Sequence, residues 1–243
     1  NREKAKVTIP TKAELKAVLD AARASSEPMA LPLAMIATFA GLRASELRGL
    51  PWRCIDLKAA TVTIAQRADL KNVIGPPKSE AGYRTIPLPP LAIQALREWK
   101  LACPTTDDDL VFPSIAKVVM SYRYMSLNIM AAVQIAAGVC ATSVDENDQP
   151  VTTPLYTLHE FRHAAASLWI EQRVNPRRVQ RWMGHSSIQV TFDTYGHLFD
   201  QADQDGAVAA AIEREVVAAT ATGRATNGSS HGLWLGIYQR PPS

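Results

Sequence analysis

Signals that start α-helices recur along most of this chain, and they restrict its fold more than any other sequence feature. Thr11 and Thr157 each precede a glutamate at the third following position, which forms the capping box that opens a helix. Asn175 followed by Pro176 marks another helix start, because proline suits the first helical position. Apolar residues at helical spacing, as over residues 29–40, support the same interpretation. The chain is therefore predicted to be mainly helical.

Two short segments alternate in the manner of β-strands. They cover residues 60–65 and 84–88, where β-branched residues alternate with others between turn residues. Residues 78–82 fall in the turn before the second segment, and the polar stretch 144–154 is predicted to be an exposed loop. The predicted fold class is α+β, mainly α-helical with one small antiparallel sheet.

Composition narrows the classes of function. A content of 47% hydrophobic and 20% charged residues is ordinary for a globular protein in water. No secretory signal opens the chain, and no run approaches the roughly 20 apolar residues of a membrane span, so no membrane association is expected. Cys54, Cys103 and Cys140 suit neither a disulfide framework nor a thiolate metal cage, and they predict a reducing, cytoplasmic setting. The net charge of +3 permits a phosphate-binding surface without establishing one.

One string of residues admits two chemical interpretations. Residues 159–163 (HEFRH) match the H-E-x-x-H signature of zinc proteases, so a zinc metalloprotease is the alternative hypothesis. Against it, Arg162 would place a fixed cation beside a divalent metal, and Glu160 is already the expected capping partner of Thr157. In the other interpretation, His159 and Arg162 share one helix face near its N-terminus, where the helix dipole favours an anion such as phosphate.

Five motifs in the chain occur together and in order in one known family. They are residues 40–48 (AGLRASELR), 77–88 (PKSEAGYRTIPL), 158–163 (LHEFRH), 183–187 (MGHSS) and 191–197 (TFDTYGH). Over about residues 11–197 the chain resembles the catalytic domain of the tyrosine recombinase (phage integrase) family. The resemblance implies an integrase-type catalytic domain over residues 1–199 and a C-terminal helix and tail over residues 200–243 that pack on a neighbouring protomer. It also implies an upstream core-binding domain, which is expected to be missing from this chain.

The resemblance implies a function as well. It implies a site-specific DNA recombinase, or integrase, that cuts and rejoins DNA through a 3′-phosphotyrosyl intermediate without a metal, ATP or another cofactor. Tyr195 would attack the phosphorus, and Arg43 and Arg162 would clamp the scissile phosphate. Arginine suits this task because its planar fork donates two hydrogen bonds and its charge does not titrate away.

The remaining roles follow from the same resemblance. Lys78 would protonate the leaving 5′-oxygen, and His159 would give base-like help to the tyrosine. His185 would donate a hydrogen bond to a non-bridging oxygen of the phosphate. Glu46 is interpreted as a residue that positions the arginines, and His163 as a packing or orienting residue outside the catalytic set.

The implied partners are nucleic acid and further copies of the chain. They are double-stranded DNA, a homotetramer assembled on it, and accessory DNA-bending or directionality factors. Four arginines surround the helix start at residues 175–176, and two interpretations of them stay open: contacts to DNA backbone phosphates or a solvated basic face. These arginines are Arg173, Arg177, Arg178 and Arg181.

Overall fold

The computed structural model describes residues 8–202 and residue 214. Its helices are α1 (Lys12–Ala24), α2 (Ala30–Ala40), α3 (Ala44–Arg48), α4 (Pro90–Ala102), α5 (Ala131–Ala136), α6 (Leu158–Glu171), α7 (Pro176–Met183) and α8 (Ile188–Ala202). A π-helical segment, Tyr124–Met130, runs directly into α5. Helix dominates the described chain, as predicted.

Short antiparallel strands complete the fold. They are β1 (Ile55–Asp56), β2 (Thr61–Ile64), β3 (Arg67–Ala68), β4 (Ile74–Gly75), β5 (Arg84–Pro87), β6 (Cys140–Val144) and β7 (Pro150–Pro154). Strands β1, β2 and β5 form one sheet in that order, in which Val62 lies opposite Ile86. Both side chains are fully buried, as the alternation of the two predicted strand segments requires.

The prediction of a loop over residues 144–154 was wrong. Strands β6 and β7 form a hairpin there, paired from Val144 opposite Pro150 to Cys140 opposite Pro154. The Asp145 carboxylate closes its turn by accepting a hydrogen bond from the backbone N–H of Gln149 at 2.9 Å. β-Branched residues in both strands favour extended backbone, and this preference prevailed over their polarity. Residues 144–153 are nevertheless exposed, as the sequence predicted.

Helix α2 lies at the centre of the main core. Helices α1, α4 and α6 pack around it, so apolar residues cover it on every side. It ends at Gly41, which has a φ of +56°. A Cβ atom on this glycine would lie only 3.0 Å from the Cβ of Ala165 on α6, so both the turn and the close packing require glycine. This turn delivers the chain directly to Arg43 at the start of α3.

A smaller core joins α6, α7 and α8. It is built from Ala166 and Ile170 on α6, Val179 and Met183 on α7, and Tyr195 on α8. Because these apolar side chains pack together, the three helices hold a fixed arrangement around the tyrosine ring. The motifs of residues 158–163, 183–187 and 191–197 therefore lie in one part of the fold.

The predicted C-terminal segment falls mostly outside the described residues. Of residues 200–243, only 200–202 at the end of α8 and residue 214 are described. In the portion of the chain with assigned structure, no helix is both long enough and apolar enough to cross a bilayer.

Candidate active site

Two guanidinium groups from distant parts of the chain meet at the end of α7. Arg43 donates a hydrogen bond from Nη2 to the carbonyl oxygen of Gly184 at 3.1 Å. Arg162, which is buried, donates to the carbonyl oxygens of Met183 and of Gly41, the latter at 2.5 Å. The structure thus brings both predicted arginines to one turn of the backbone.

Gly184 makes this meeting geometrically possible. It ends α7 in the left-handed conformation, with a φ of +62°. A Cβ atom here would lie 3.0 Å from the carbonyl oxygen of Ala81 and 3.0 Å from Nη1 of Arg84. Only glycine allows the turn and the adjacent guanidinium group to approach so closely.

A buried carboxylate, that of Glu46, joins two of the arginines around this turn. Its Oε1 accepts hydrogen bonds from Nη1 of Arg43 and from Nη1 of Arg84, both at 2.9 Å, and its Oε2 accepts from Nη2 of Arg84 at 2.7 Å. Burial alone would raise the pKa of Glu46. The hydrogen bonds and charge of Arg84, together with the charges of Arg162 and Arg43, outweigh burial and lower this pKa from 4.5 to about 2. Glu46 is therefore an anion at neutral pH, and it holds Arg43 in place.

Arg84 is a site residue that the sequence prediction missed. Its side chain is fully buried, and its Nε donates to the carbonyl oxygen of Trp182 at 2.7 Å. A signal for it existed in the sequence, because Arg84 is in phase with Ile86 on the inward face of a predicted strand. A charged residue at an inward strand position is stable only when it is paired.

Tyr195 lies with its ring buried and its hydroxyl against a histidine. The phenol oxygen is 2.6 Å from Nδ1 of His163, which the sequence prediction had left outside the catalytic set. Burial raises the pKa of Tyr195 above its ordinary value, although the charge of Arg162 opposes this. Burial also lowers the pKa of His163 to about 4, and the charges of His159 and Arg162 add to that effect. At neutral pH the pair is therefore an uncharged imidazole and an uncharged phenol.

Two other predicted histidines flank this pair. His159 is exposed, and its ring lies edge-on to that of His163 with 4.4 Å between the centroids. The ring of His185 is stacked parallel to Tyr195 with 6.5 Å between the centroids, and its Nδ1 lies 3.0 Å from Oγ1 of Thr191. Burial and then the neighbouring guanidinium groups lower the pKa of His185 to about 4.

Lys78 lies apart from these groups. It is exposed in the loop between β4 and β5, and within the described chain it makes no hydrogen bond or ion pair with the other predicted site residues. It lines a cleft of about 680 Å³ beside the start of α3. This cleft also contains Ala44, Ser45, Arg67, Lys71 and Tyr122.

The four arginines around the start of α7 form an exposed group. Asn175 caps this helix by accepting the backbone N–H of Arg177 at 2.9 Å, as the sequence predicted. No acidic side chain among the described residues forms an ion pair with any of the four. Arg173, Arg177, Arg178 and Arg181 therefore present their charge to solvent.

The residues of the zinc-protease pattern already have other partners. The Glu160 carboxylate accepts a hydrogen bond from the backbone N–H of Thr157 at 2.7 Å, which confirms the predicted capping box. Nδ1 of His163 is occupied by Tyr195. Across residues 8–202, no group of three His, Cys, Asp or Glu side chains is arranged to hold a metal ion. The geometry gives the metalloprotease alternative no support.

Comparison with known sequences agrees with the motifs. The sequence model of the phage integrase family matches residues 10–202. Prophage integrase IntR of Escherichia coli K12 is 26% identical over 213 residues, which cover 80% of this chain and 48% of that relative. Tyrosine recombinase XerC of Xanthomonas axonopodis pv. citri is 31% identical over 158 residues, which cover 65% of this chain and 43% of XerC. The chain therefore spans about half the length, or less, of these curated relatives.

Comparison with solved structures agrees at the level of the fold. The Tn1549 transposon integrase in complex with circular intermediate DNA has a TM-score of 0.65 at 20% identity, over 88% of this chain and 68% of that one. The XerA recombinase has a TM-score of 0.59 at 17% identity, over 88% and 65% of the two chains. Because the family's sequence model covers most of the chain, and its motifs meet around one backbone turn and one tyrosine, the chain belongs to the phage integrase family.

Proposed function

We propose that this chain is the catalytic part of a site-specific DNA recombinase that cuts and rejoins double-stranded DNA through a 3′-phosphotyrosyl intermediate. One observation carries the proposal: Arg43 and Arg162 converge on the turn at residues 183–184, next to the helix that carries Tyr195. Phosphoryl transfer needs cations around the equatorial oxygens and a nucleophile in line with the leaving group. Guanidinium groups and a phenol near one backbone turn would supply the cations and the nucleophile that this reaction needs.

Arg43 is the arginine that can offer most to a phosphate. Its side chain is 40% exposed, and its guanidinium has five N–H donors, of which Glu46 and Gly184 occupy one each. Arg162 is fully enclosed and contributes a fixed positive charge from beneath the turn. Glu46 positions Arg43 without touching the reacting atoms.

In the proposed reaction, the phenol oxygen of Tyr195 attacks the phosphorus. A bond forms between phosphorus and this oxygen as the bond from phosphorus to the 5′-oxygen breaks. His159 accepts the phenol proton, and Lys78 gives a proton to the 5′-oxygen when DNA fills its cleft. His185 donates a hydrogen bond to a non-bridging oxygen. Attack of a 5′-hydroxyl reverses these steps, so the energy of the phosphodiester bond is kept and rejoining needs neither ATP nor a metal.

The partners of this reaction are proposed on the same basis. The exposed arginines around the start of α7 would contact backbone phosphates, which position a protein on DNA without reading its sequence. Strand exchange would take place in a homotetramer on DNA, assisted by accessory DNA-bending or directionality factors. Residues 1–199 would act as the catalytic domain, with residues 200–243 packing on a neighbouring protomer and a core-binding domain completing the clamp around DNA.

Covalent capture tests the proposed reaction. The chain is incubated in EDTA with a pool of duplexes that have a randomised core and a nick that releases a short oligonucleotide after cleavage. We expect DNA–protein adducts that survive denaturant. The peptide that contains Tyr195 should carry the nucleotide on this tyrosine. The adduct should disappear in Tyr195→Phe and persist in the matched control Tyr83→Phe, which changes an exposed tyrosine. No adduct even when a core-binding domain is joined to the wild-type chain, or an adduct that survives Tyr195→Phe, would refute the proposal.

Substitution of the phosphate clamp gives a graded version of this test. Arg43→Ala should slow adduct formation by about 10²–10³-fold, the cost of removing one donor to a developing oxyanion. Arg97→Ala is the matched control, because Arg97 lies on α4 and donates to the carbonyl oxygen of Leu57 at 2.9 Å. Equal rates for the two variants would contradict the role of Arg43.

A further inference from the structure

The hydrogen bond between Tyr195 and His163 takes no part in the proton transfers of the proposed reaction. The tyrosine is only 3% exposed, and its hydroxyl lies 2.6 Å from Nδ1 of the imidazole. This distance is at the short end of the range for hydrogen bonds from hydroxyl groups. The two rings meet edge to face, with 5.6 Å between their centroids and an angle of 61°. His163 therefore touches the atom that would attack the phosphorus.

The imidazole of His163 is itself held on several sides. Its own helix, α6, is fixed because Arg162 is bonded to two backbone turns. The carbonyl oxygen of His163 accepts a hydrogen bond from Oγ of Ser167 at 3.1 Å, and the ring of His159 covers one side. A ring held in this way can fix the direction of a neighbouring hydroxyl group.

Burial keeps His163 neutral by lowering its pKa, and the charges of His159 and Arg162 add to this effect. Titratable or charged groups on three elements face it: His159, Glu160 and Arg162 on α6, Tyr195 on α8, and His185 in the turn after α7. Because its pKa is lowered to about 4 while that of the phenol is raised, complete proton transfer from Tyr195 to His163 would be strongly uphill. In the neutral pair, Nδ1 accepts a hydrogen bond from the Tyr195 hydroxyl when the imidazole proton lies on Nε2.

We propose that His163 is a positioning residue, which uses Nδ1 to aim the Tyr195 hydroxyl at the scissile phosphate. This role is separate from that of His159 as proton acceptor, and it rests on the proposed recombinase function. A misplacement of the attacking oxygen by about 1 Å costs roughly 100-fold in rate, so one well-placed hydrogen bond can have a large effect.

An activated phosphodiester tests this role without knowledge of the DNA target. Attack of Tyr195 on thymidine 3′-(p-nitrophenyl phosphate) forms the 3′-phosphotyrosyl bond and breaks the bond to p-nitrophenolate, a leaving group that needs no proton. One burst of p-nitrophenolate per chain reports the rate of attack. Urea unfolding of each variant, followed by circular dichroism, establishes that it is folded.

Three substitutions at His163 separate aiming from packing. His163→Phe keeps the ring but removes the acceptor, and the rate at saturating substrate should fall by roughly 100-fold while the substrate concentration at half-maximal rate stays the same. His163→Asn places an amide oxygen close to the Nδ1 position and should stay within about tenfold of wild type. His163→Gln has the same amide one methylene further out and should be slow, so the Asn and Gln pair remains informative if the Phe variant does not fold. His197→Phe, an exposed histidine on α8, is the control and should match wild type.

Each outcome has one meaning. Absence of a burst from the wild-type chain would refute the proposed function itself. A wild-type burst with His163→Phe equally fast would overturn the positioning role. Equal rates for His163→Asn and His163→Gln would also overturn it, because the position of the hydrogen-bond acceptor would then not matter.

Discussion

The two halves of the site are held in place by different kinds of interaction. We call the first the guanidinium half; it consists of Arg43, Glu46, Arg84 and Arg162. We call the second the phenol half; it consists of His159, His163, His185 and Tyr195. In the first half the contacts are charged, buried and multiple, whereas in the second they are single hydrogen bonds between uncharged groups.

The guanidinium half is fixed by interactions that are costly to break. Glu46 receives two hydrogen bonds from a fully buried Arg84, and removal of one partner would leave an uncompensated charge in the interior. A pair such as Lys16 and Asp20, only 2.5 Å apart but exposed, contributes far less because water screens it. Burial, not distance, makes the difference.

The phenol half depends on weaker contacts. His163 bonds to the hydroxyl of Tyr195, and His185 pairs with Thr191. A neutral hydrogen bond of this kind contributes about 1 kcal/mol net. The comparison teaches that the half required to keep a constant charge is joined by buried ion pairs, whereas the half that holds the nucleophile is joined by single hydrogen bonds, from His163 to Tyr195 and from His185 to Thr191.

The largest effect is expected for Glu46→Ala. It should lower the free energy of unfolding by about 3–5 kcal/mol, because Arg84 would stay buried without its carboxylate. Urea denaturation near neutral pH measures this. Asp20→Ala, which breaks the exposed pair, is the matched control and should cost about 0–1 kcal/mol. Similar losses in the two variants would remove the distinction between the guanidinium half and an ordinary surface pair.

Acid should weaken the two halves in different ranges of pH. The pKa of Glu46 is lowered from 4.5 to about 2, so its stabilisation is complete above pH 4.5 and is lost as the pH falls toward 2. The loss amounts to about 3 kcal/mol, since one pKa unit corresponds to about 1.4 kcal/mol. The pKa values of His163 and His185 are lowered from 6.5 to about 4, so folding favours their neutral forms and stability is lost as the pH falls from 6.5 toward 4.

Urea midpoints measured from about pH 7 down to about pH 3 separate these contributions. Below pH 4.5, Glu46→Gln should lose less free energy of unfolding than the wild-type chain, and between pH 6.5 and 4 it should lose as much. His163→Asn should lose less than the wild-type chain between pH 6.5 and 4, and as much below that range. If Glu46→Gln retained the whole of the acid loss, the buried carboxylate would not be the group that titrates.

Much of this arrangement was predictable from local sequence. The capping box at Thr157, the Asn175 cap and the helix end at Gly184 each depend on residues within a few positions of one another. These signals place Arg162 near the start of α6 and His185 just after α7. The hairpin over residues 140–154 was missed, although Val151, Thr152 and Thr153 carry β-branched side chains that favour a strand.

Pairings across the fold could not be predicted in the same way. Glu46 and Arg84 are 38 positions apart, and His163 and Tyr195 are 32 apart. His159 and His163 lie four positions apart on one helix face, so spacing alone could not decide which of them contacts the phenol. That choice depends on how α6 and α8 pack around the smaller core, which local patterns do not determine.

The smallest effect is expected for Thr191→Val, which tests how lightly the phenol half is held. Thr191 is fully buried with Oγ1 3.0 Å from Nδ1 of His185, and valine removes only the hydroxyl group while keeping the shape. The free energy of unfolding should fall by about 1 kcal/mol, and adduct formation should slow by about tenfold or less because His185 loses its orienting partner. Thr194→Val is the control, since Thr194 on the same helix donates to the carbonyl oxygen of Val190 at 2.9 Å. Equal slowing of adduct formation in both variants would implicate the helix and not His185. A loss of unfolding free energy as large as that of Glu46→Ala would contradict the difference in strength between the two halves of the site.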